Sequence, residues 1–346
     1  MDVFRADNLN NVFMNLLKKI LLYSVFLLLG VALFWWQYKD LDWPTLKHGL
    51  EVTNYWWIAV AILFGLLSHV SRAIRWKMLI KPLGYDPKVS NIFLSILVMY
   101  FTNLLVPRAG EVARCTILSK YEKIPASKLI GTMIVERIAD TLTMLGLAVI
   151  ILGINISVFK RFLQLNPKVN DKMVTLLSIT NILFALGAVA LIIVIFFLVK
   201  PLKKTKMSDK INKIKHGLKD GIKSIIMLEN KWYFFAHTLF IFLMWLLMLY
   251  VVFLAYPPTR HLTIWAGTFT FLMGGLAMLA PVNGGVGAWH FMVKESIFLY
   301  GIDKVDGKIF ALIAHSSTNL VFIIFGSVAL ILFPILNREI KRKAHE

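Results

Sequence analysis

A single cysteine, Cys115, in a chain of 346 residues excludes an intramolecular disulfide, and without a CxxC pair or a Cys/His cluster neither a redox centre nor a zinc site is expected. Acidic residues are scarce as well, 19 against 38 lysines and arginines, for a formal net charge of +19. A nucleophile elbow, an HExxH pair, a Walker loop and a Rossmann fingerprint are all missing, and the scattered serines and histidines keep no local catalytic spacing. No metal, no cofactor and no enzyme activity are therefore expected. A membrane enzyme assembled from distant helices escapes such a search and stays open as an alternative. Charged residues of all kinds make up only 16% of the chain, whereas 58% are apolar and the mean hydropathy is +0.71, more oil than a soluble domain uses.

What is present in quantity is apolar length. Stretches of about 20 residues cross a hydrocarbon core of roughly 30 Å, and runs of this kind fall near 20–36, 56–71 with a helical extension toward Leu79, 127–154, 173–199, 232–254 and 309–333. The first ends in Phe34, Trp35 and Trp36 rather than in small residues, so it reads as an uncleaved span, not a signal peptide. Two shorter apolar segments, 91–106 and 263–279, run into NLLVPRAGEVAR and LAPVNGGVGAWH, and each is followed by another helical stretch, 109–121 and 286–300. A bilayer tolerates such proline and glycine breaks only where protein or trapped water satisfies the freed backbone, which describes re-entrant hairpins over 91–121 and 263–300.

Basic residues orient the spans, because cytoplasmic loops retain positive charge. Arg72, Arg75, Lys77, Lys81 and Lys88 in 72–88, Arg108, Arg114, Lys120, Lys123 and Lys128 in 108–128, and the lysine-rich 200–231 all fall inside on one assignment, which the sparser Lys160, Arg161, Lys168 and Lys172 oppose. The expectation is thus an all-α polytopic membrane bundle, a single domain over 1–346 with both termini cytoplasmic. Its first half, 20–154, and its second, 232–333, each carry a hairpin, inserted in opposite senses as an inverted repeat. KLIGTMIVERIAD at 128–140 lies over KIFALIAHSSTNL at 308–320 only as a pattern of apolar and polar positions, and two unrelated hairpins remain the plainer reading.

Between the halves, Met207, Ile211, Ile214, Leu218, Ile222 and Ile225 recur at steps of three and four among lysines, an amphipathic helix over 202–226 expected to lie on the inner leaflet. With most of the positive charge in loops between spans, anionic lipid headgroups rather than nucleic acid are the expected partner.

Chemistry concentrates in three places. VERIAD puts Glu136, Arg137 and Asp140 about nine residues into a span, roughly 13 Å deep. Charges there cost about 2.5–3.5 kcal/mol each and should pair inside the bundle. One arginine between two carboxylates leaves negative charge over, for which Arg108 and Arg114 are the nearest candidate partners by topology; the cluster reads either as functional or as a lock between helices. Arg108, Glu111 and Arg114 flank a helix start after Pro107 and Gly110, where free amides and a guanidinium suit a phosphate, unless the arginines merely snorkel to water. In the second hairpin Asn283, Gly284, Gly285 and Gly287 permit close backbone approach. His290, with Lys294 one turn on and Glu295 beside it, and then His315 and Asn319 follow as packing, proton-carrying or ligand groups.

At these residues the chain resembles the flippase-like family of bacterial and archaeal membrane proteins whose module also forms the transmembrane region of lysylphosphatidylglycerol synthases. The matching positions are Asn103, Pro107, Arg108, Gly110, Glu111 and Arg114, then Glu136, Arg137 and Asp140, and lastly Pro281, Gly284, Gly285 and Gly287. Asn283 stands where the family often has a second proline and His290 where it often has glutamate, which alters the charge at that place. By the resemblance, with no aminoacyl-transfer domain after the last span, the chain is a lipid-handling module in a bacterial or archaeal cytoplasmic membrane. The resemblance implies that it would move a phospholipid or polyprenyl-linked lipid between leaflets. On that expectation Arg108, Arg114 and Arg137 would hold phosphate, Glu111, Glu136 and Asp140 would orient the arginines or bind an amine, and Asn103, Asn283, Gly284, Gly285, His290, His315 and Asn319 would complete the site. The alternatives are a membrane-embedded transferase or hydrolase on lipid-linked phosphate and an accessory subunit of a partner enzyme.

Overall fold

Apolar runs interrupted by single turns leave the backbone one economical solution in oil, the α-helix, whose hydrogen bonds close within the segment. The computed structural model describes residues 28, 30–106, 108–167, 170, 171, 175, 178, 206–278, 280 and 282–337, and among these there is no strand. A helical stretch over 30–38 is followed by α1 (Trp43–Glu51), α2 (Tyr55–Ile80), α3 (Val89–Leu105), α4 (Gly110–Glu122), α5 (Ala126–Ile154) and α6 (Ile156–Leu165). Then come α7 (Lys206–Ile226), α8 (Lys231–Ala255), α9 (Ile264–Ala277), α10 (Ala288–Phe298) and α11 (Lys304–Leu336). Asp42 caps α1 by accepting from the Thr45 amide at 3.0 Å, and that bond with the Thr45 hydroxyl holds its carboxyl below the usual range.

Four of these helices are long and apolar enough to cross a membrane: Tyr55–Leu83, Ala126–Ile154, Lys231–Ala255 and Lys304–Leu336. They match four of the expected spans. Most of the expected span at 20–36 and nearly all of that at 173–199 lie outside the described residues, as do Pro107 and Pro281. Both hairpins are present, as α3–α4 around residues 106–109 and as α9–α10 around 278–287.

Contacts divide the chain into two compact units, the first made of the described parts of 1–70, 93–117 and 241–346, the second of 71–92 and 118–240. The first has a core built by α2, α8, α9, α10 and α11, with Ile58, Phe253, Ala266, Val293 and Phe310 in it and the rings of Phe253 and Phe310 4.8 Å apart. Along α11 the two hairpins approach from opposite ends. From the Lys304 end comes α9–α10, where Lys294 lies against Gly307, and its tip stops where the Gly284 carbonyl meets His315. From the Leu336 end comes α3, with Leu97 and Phe101 against Gly326 and Tyr100 stacked on Phe322 at 4.4 Å. The tips meet: a Cβ on Gly284 would stand 3.3 Å from the Leu104 side chain. His315 is 11 residues along α11, a depth of about 16 Å and so about half of a roughly 30 Å hydrocarbon core.

In the second unit α7 packs on α5 backbone to backbone. Gly217 and Gly221 are so close to Ser127 and Gly131 that a Cβ on any of these glycines would strike the facing main chain. The helix is there as expected, and it meets α5 through its small residues. Gly217, Gly221 and Ser224 are buried, Leu218 and Ile225 of the apolar stripe are half-buried and Ile222 is exposed, because small residues let two helices approach closely. The side chains of 206–214 are outside the described set.

Candidate functional site

Arg72 and Arg75, which sequence reading assigns to a cytoplasmic loop, correct that assignment: α2 continues to Ile80, and both arginines are buried in it, 1% and 0% exposed. The helix continues because Trp76, Leu79 and Ile80 bury beyond the charges, with the Trp76 indole donating to Thr132 on α5 at 3.0 Å. Arg72 and Arg75 are one turn apart on one face of α2, opposite Glu136 and Asp140, which share a face of α5. They supply the partners that had been sought at Arg108 and Arg114.

The bonds interlock. Arg75 Nη2 lies 2.7 Å from Asp140 and 3.2 Å from Glu136, and its Nη1 donates to Thr238 at 3.0 Å. Arg72 is 3.2 Å from Asp140 and 3.6 Å from Glu136. Arg137 Nη2 reaches both carboxylates at 2.9 Å. Beside them the Ser71 hydroxyl bonds His237 at 2.8 Å, and the Arg75 guanidinium lies 5.5 Å from the centre of the Phe234 ring. The five described side chains, three guanidiniums and two carboxylates, sum to one positive charge, the opposite sign from the sequence count. Burying such a group is tolerable only when every charge is met.

Arg137 differs from the rest. Its side chain is 34% exposed, and with Ile134, Ile138, Thr141 and Leu142 it lines an open groove of about 270 Å³ along one face of α5. Its guanidinium is held by both carboxylates, while a third of the side chain shows among apolar residues deep in a spanning helix.

The hairpin tips use other chemistry. In the first, Asn103 accepts from the Gly110 amide at 2.7 Å and so takes one of the helix-start donors expected to serve a phosphate, while Glu111 sits in the first turn of α4. Gly110 is pressed on the Met99 carbonyl, Arg108 is exposed with a φ of 59°, and Arg114 is fully buried. Cys115 is buried too.

In the second hairpin Gly284, Gly285 and Gly287 take positive φ of 57°, 74° and 82°. The Gly284 carbonyl can only accept, so His315 Nε2, at 2.8 Å, carries the proton, and His315 Nδ1 accepts from the Asn319 amide at 3.1 Å. His290 Nδ1 accepts from the Gly287 amide at 3.2 Å, and the two imidazoles are 4.5 Å apart between centres. His290, His315, Asn319, Gly284 and Gly285 are thus brought together as a seal on the broken backbone; the Asn283 side chain lies outside the described set. Lys294 and Glu295 pair at 3.0 Å, both buried. Near the Lys304 end, Tyr256 donates to Asp306 at 2.6 Å, and burial first, then this bond, pushes its hydroxyl above the ordinary tyrosine range. No cluster of three metal-ligating side chains occurs among the described residues.

A UPF0104 membrane protein of Pyrococcus horikoshii is 23% identical over 312 residues, 83% of this chain and 89% of that one. A UPF0104 membrane protein of Methanocaldococcus jannaschii is 36% identical over 104 residues, 29% of this chain and 31% of its relative. Glycosyltransferase AglD of Haloferax volcanii is 31% identical over 96 residues, 28% of this chain and only 15% of the larger protein. The profile of the lysylphosphatidylglycerol synthase TM region matches residues 21–326, which include both hairpins and the ion cluster. This multi-pass membrane protein therefore belongs to the lysylphosphatidylglycerol synthase TM region family.

Proposed function

We propose that the protein is a lipid translocase that takes an anionic headgroup at Arg137 and moves it between leaflets without covalent chemistry. The observation that carries this reading is the partly exposed guanidinium in an apolar groove at membrane depth. A headgroup dragged unaided through hydrocarbon loses its hydration; a guanidinium replaces water with charge-assisted bonds, while Ile134, Ile138 and Leu142 give an acyl or prenyl chain an apolar wall. Arg72, Arg75, Glu136 and Asp140 hold Arg137 in place. The hairpins, entering from opposite ends of α11, form an inverted repeat whose movement drives alternating access. Arg108 offers a second exposed guanidinium at the first tip, and Glu111 and Arg114 brace the helix behind it. The expected location is the cytoplasmic membrane of a bacterium or archaeon, with both termini inside.

Fluorescent phosphatidylglycerol in proteoliposomes tests the reading. The native chain should flip it well above empty vesicles, and Arg137→Ala should lower the rate by about tenfold or more, the loss of roughly one charge-assisted bond to the moving headgroup. Equal rates for native and variant would remove Arg137 from the path.

The short match to part of a glycosyltransferase favours a second reading, service to a partner enzyme acting on lipid-linked substrates or such an activity in the chain itself. Mass spectrometry of the incubated lipids separates the two: translocation leaves covalent mass unchanged.

A further inference from the structure

At the second tip the two imidazoles meet partners of different kinds. His315 Nδ1 accepts from the Asn319 side chain at 3.1 Å, and a side-chain amide can turn over and offer its oxygen instead. His290 Nδ1 accepts from the backbone amide of Gly287 at 3.2 Å, and that group only donates. A proton added to His315 is thus absorbed by a rotation of Asn319. A proton added to His290 sets N–H against N–H, and only a movement of the tip relieves that. No other hydrogen bond holds the His290 ring: its Nε2 carries the remaining proton and finds no acceptor among the described residues, although the residue is 1% exposed. His290 also stands in the first turn of α10, where the helix presents its free amides and repels added positive charge.

We infer that His290 is a proton-binding latch on the second hairpin: neutral, it holds the Gly287 amide and the tip stays closed; protonated, it lets Gly287 go and the tip opens. The translocase reading above gives the latch its use, as a proton-dependent gate on the lipid path, while the latch itself stands on this geometry. The step is a bare proton uptake, in which Nδ1 takes a proton from water and the freed Gly287 N–H turns to water in its place. Few other titratable groups face the pair. Helix 30–38 brings Tyr38, whose ring is 5.5 Å from that of His290 and whose hydroxyl donates to the Lys308 carbonyl on α11. On α10 Lys294 and Glu295 hold each other at 3.0 Å, and α9 carries no titratable residue. The first tip, which meets Gly284 through Leu104, brings Arg108 and Glu111. Since only the open tip has room for the extra proton, closure is fully favoured above the ordinary histidine value of about 6.5 and weakens as the pH falls through it.

Amide hydrogen exchange of the full chain in lipid nanodiscs tests the latch, read by mass spectrometry over residues 284–292 and corrected for the intrinsic pH dependence of exchange. From about pH 7.5 to about pH 5.5 the native tip should lose protection by about tenfold, the rise in open population that one linked proton gives. His290→Gln keeps an acceptor at the third helical position, from which a glutamine reaches back to the amide before the helix, but it does not titrate. Its tip should stay protected at both pH values. His315→Gln should keep the native response. A native tip indifferent to pH, a response that persists in His290→Gln, or one that vanishes in His315→Gln overturns the inference. Should His290→Gln fail to insert, the native response and its survival in His315→Gln carry the test. Flipping of phosphatidylglycerol is measured beside it and should quicken in acid for the native chain but not for His290→Gln. An exchange response without flipping at either pH keeps the latch and removes the translocase reading; flipping without an exchange response removes the latch alone.

Discussion

Between α2 and α5, polar groups enter the membrane as five ionised side chains that satisfy one another; at the tip of the second hairpin they enter as bare backbone, with a neutral imidazole closing one carbonyl. The first device depends on charge and tolerates variation in shape, since long arginines reach their carboxylates from a neighbouring helix. The second depends on shape. Gly285 and Gly287 are there because a Cβ would collide with Met278 and with Leu33, and no charge is involved. Damage to the cluster should therefore be reversible by a compensating loss of opposite charge, and damage to the tip only by removal of bulk.

The largest effect is expected at the tip. Gly287→Ala places a Cβ on the Leu33 side chain at a φ of 82°, so steric conflict adds to backbone strain, and the cost should exceed about 4 kcal/mol, in the range reserved for severe lesions. Gly84→Ala separates the two contributions. Gly84 has a φ of 86° with nothing within 4 Å of its would-be Cβ, so only the strain remains, about 1–2 kcal/mol. Thermal unfolding in detergent, read as loss of the monodisperse peak, checks both; equal losses would mean that crowding at the tip does not matter.

Next in size is the cluster. Arg75→Met strands parts of Glu136 and Asp140 in a dry contact and should cost about 3–5 kcal/mol, whereas Arg75→Met with Asp140→Met, which keeps the cluster's sum, should recover much of that. A double variant as unstable as the sum of its parts would contradict the idea that charge balance, not fit, holds these helices together.

How much of this could be read in advance follows the same divide. Apolar length and the proline and glycine breaks announced four spans and both hairpins, because oil leaves so few alternatives to a helix. Glu136, Arg137 and Asp140 stood out for the same reason, as charges inside a span. Arg72 and Arg75 did not: the helical extension toward Leu79 was legible, but a basic residue just past an apolar run looks like a loop anchor, and only the structure shows both arginines buried. On α7 the stripe of isoleucine and leucine was visible, but the contact with α5 was not, because backbone access at Gly217 and Gly221 leaves no mark in an apolar pattern. His290, His315 and Asn103 were recognised as polar groups at the right places. Their partners were not legible, as a donor aimed at a ligand and one aimed at the tip's own backbone have the same residue letter.

The smallest effect sharpens the comparison from the first hairpin, which combines both devices. Asn103 caps α4 by accepting from the Gly110 amide, and Gly110 in turn fits only because it carries no side chain against Met99. Asn103→Ala removes one acceptor and no bulk, so the cost should be that of a lost helix cap, about 1 kcal/mol. Asn103→Asp keeps the acceptor and should restore most of it on hydrogen-bond grounds, but it adds a negative charge beside Glu111 in a hairpin that also carries the exposed Arg108. Stability and transport then part company: if the first tip handles an anionic headgroup, Asn103→Asp should be as stable as the native chain and slower in flipping phosphatidylglycerol, whereas Asn103→Ala should be slightly less stable and nearly as fast. Equal transport by both variants would confine Asn103 to its structural role and leave anion handling to Arg137.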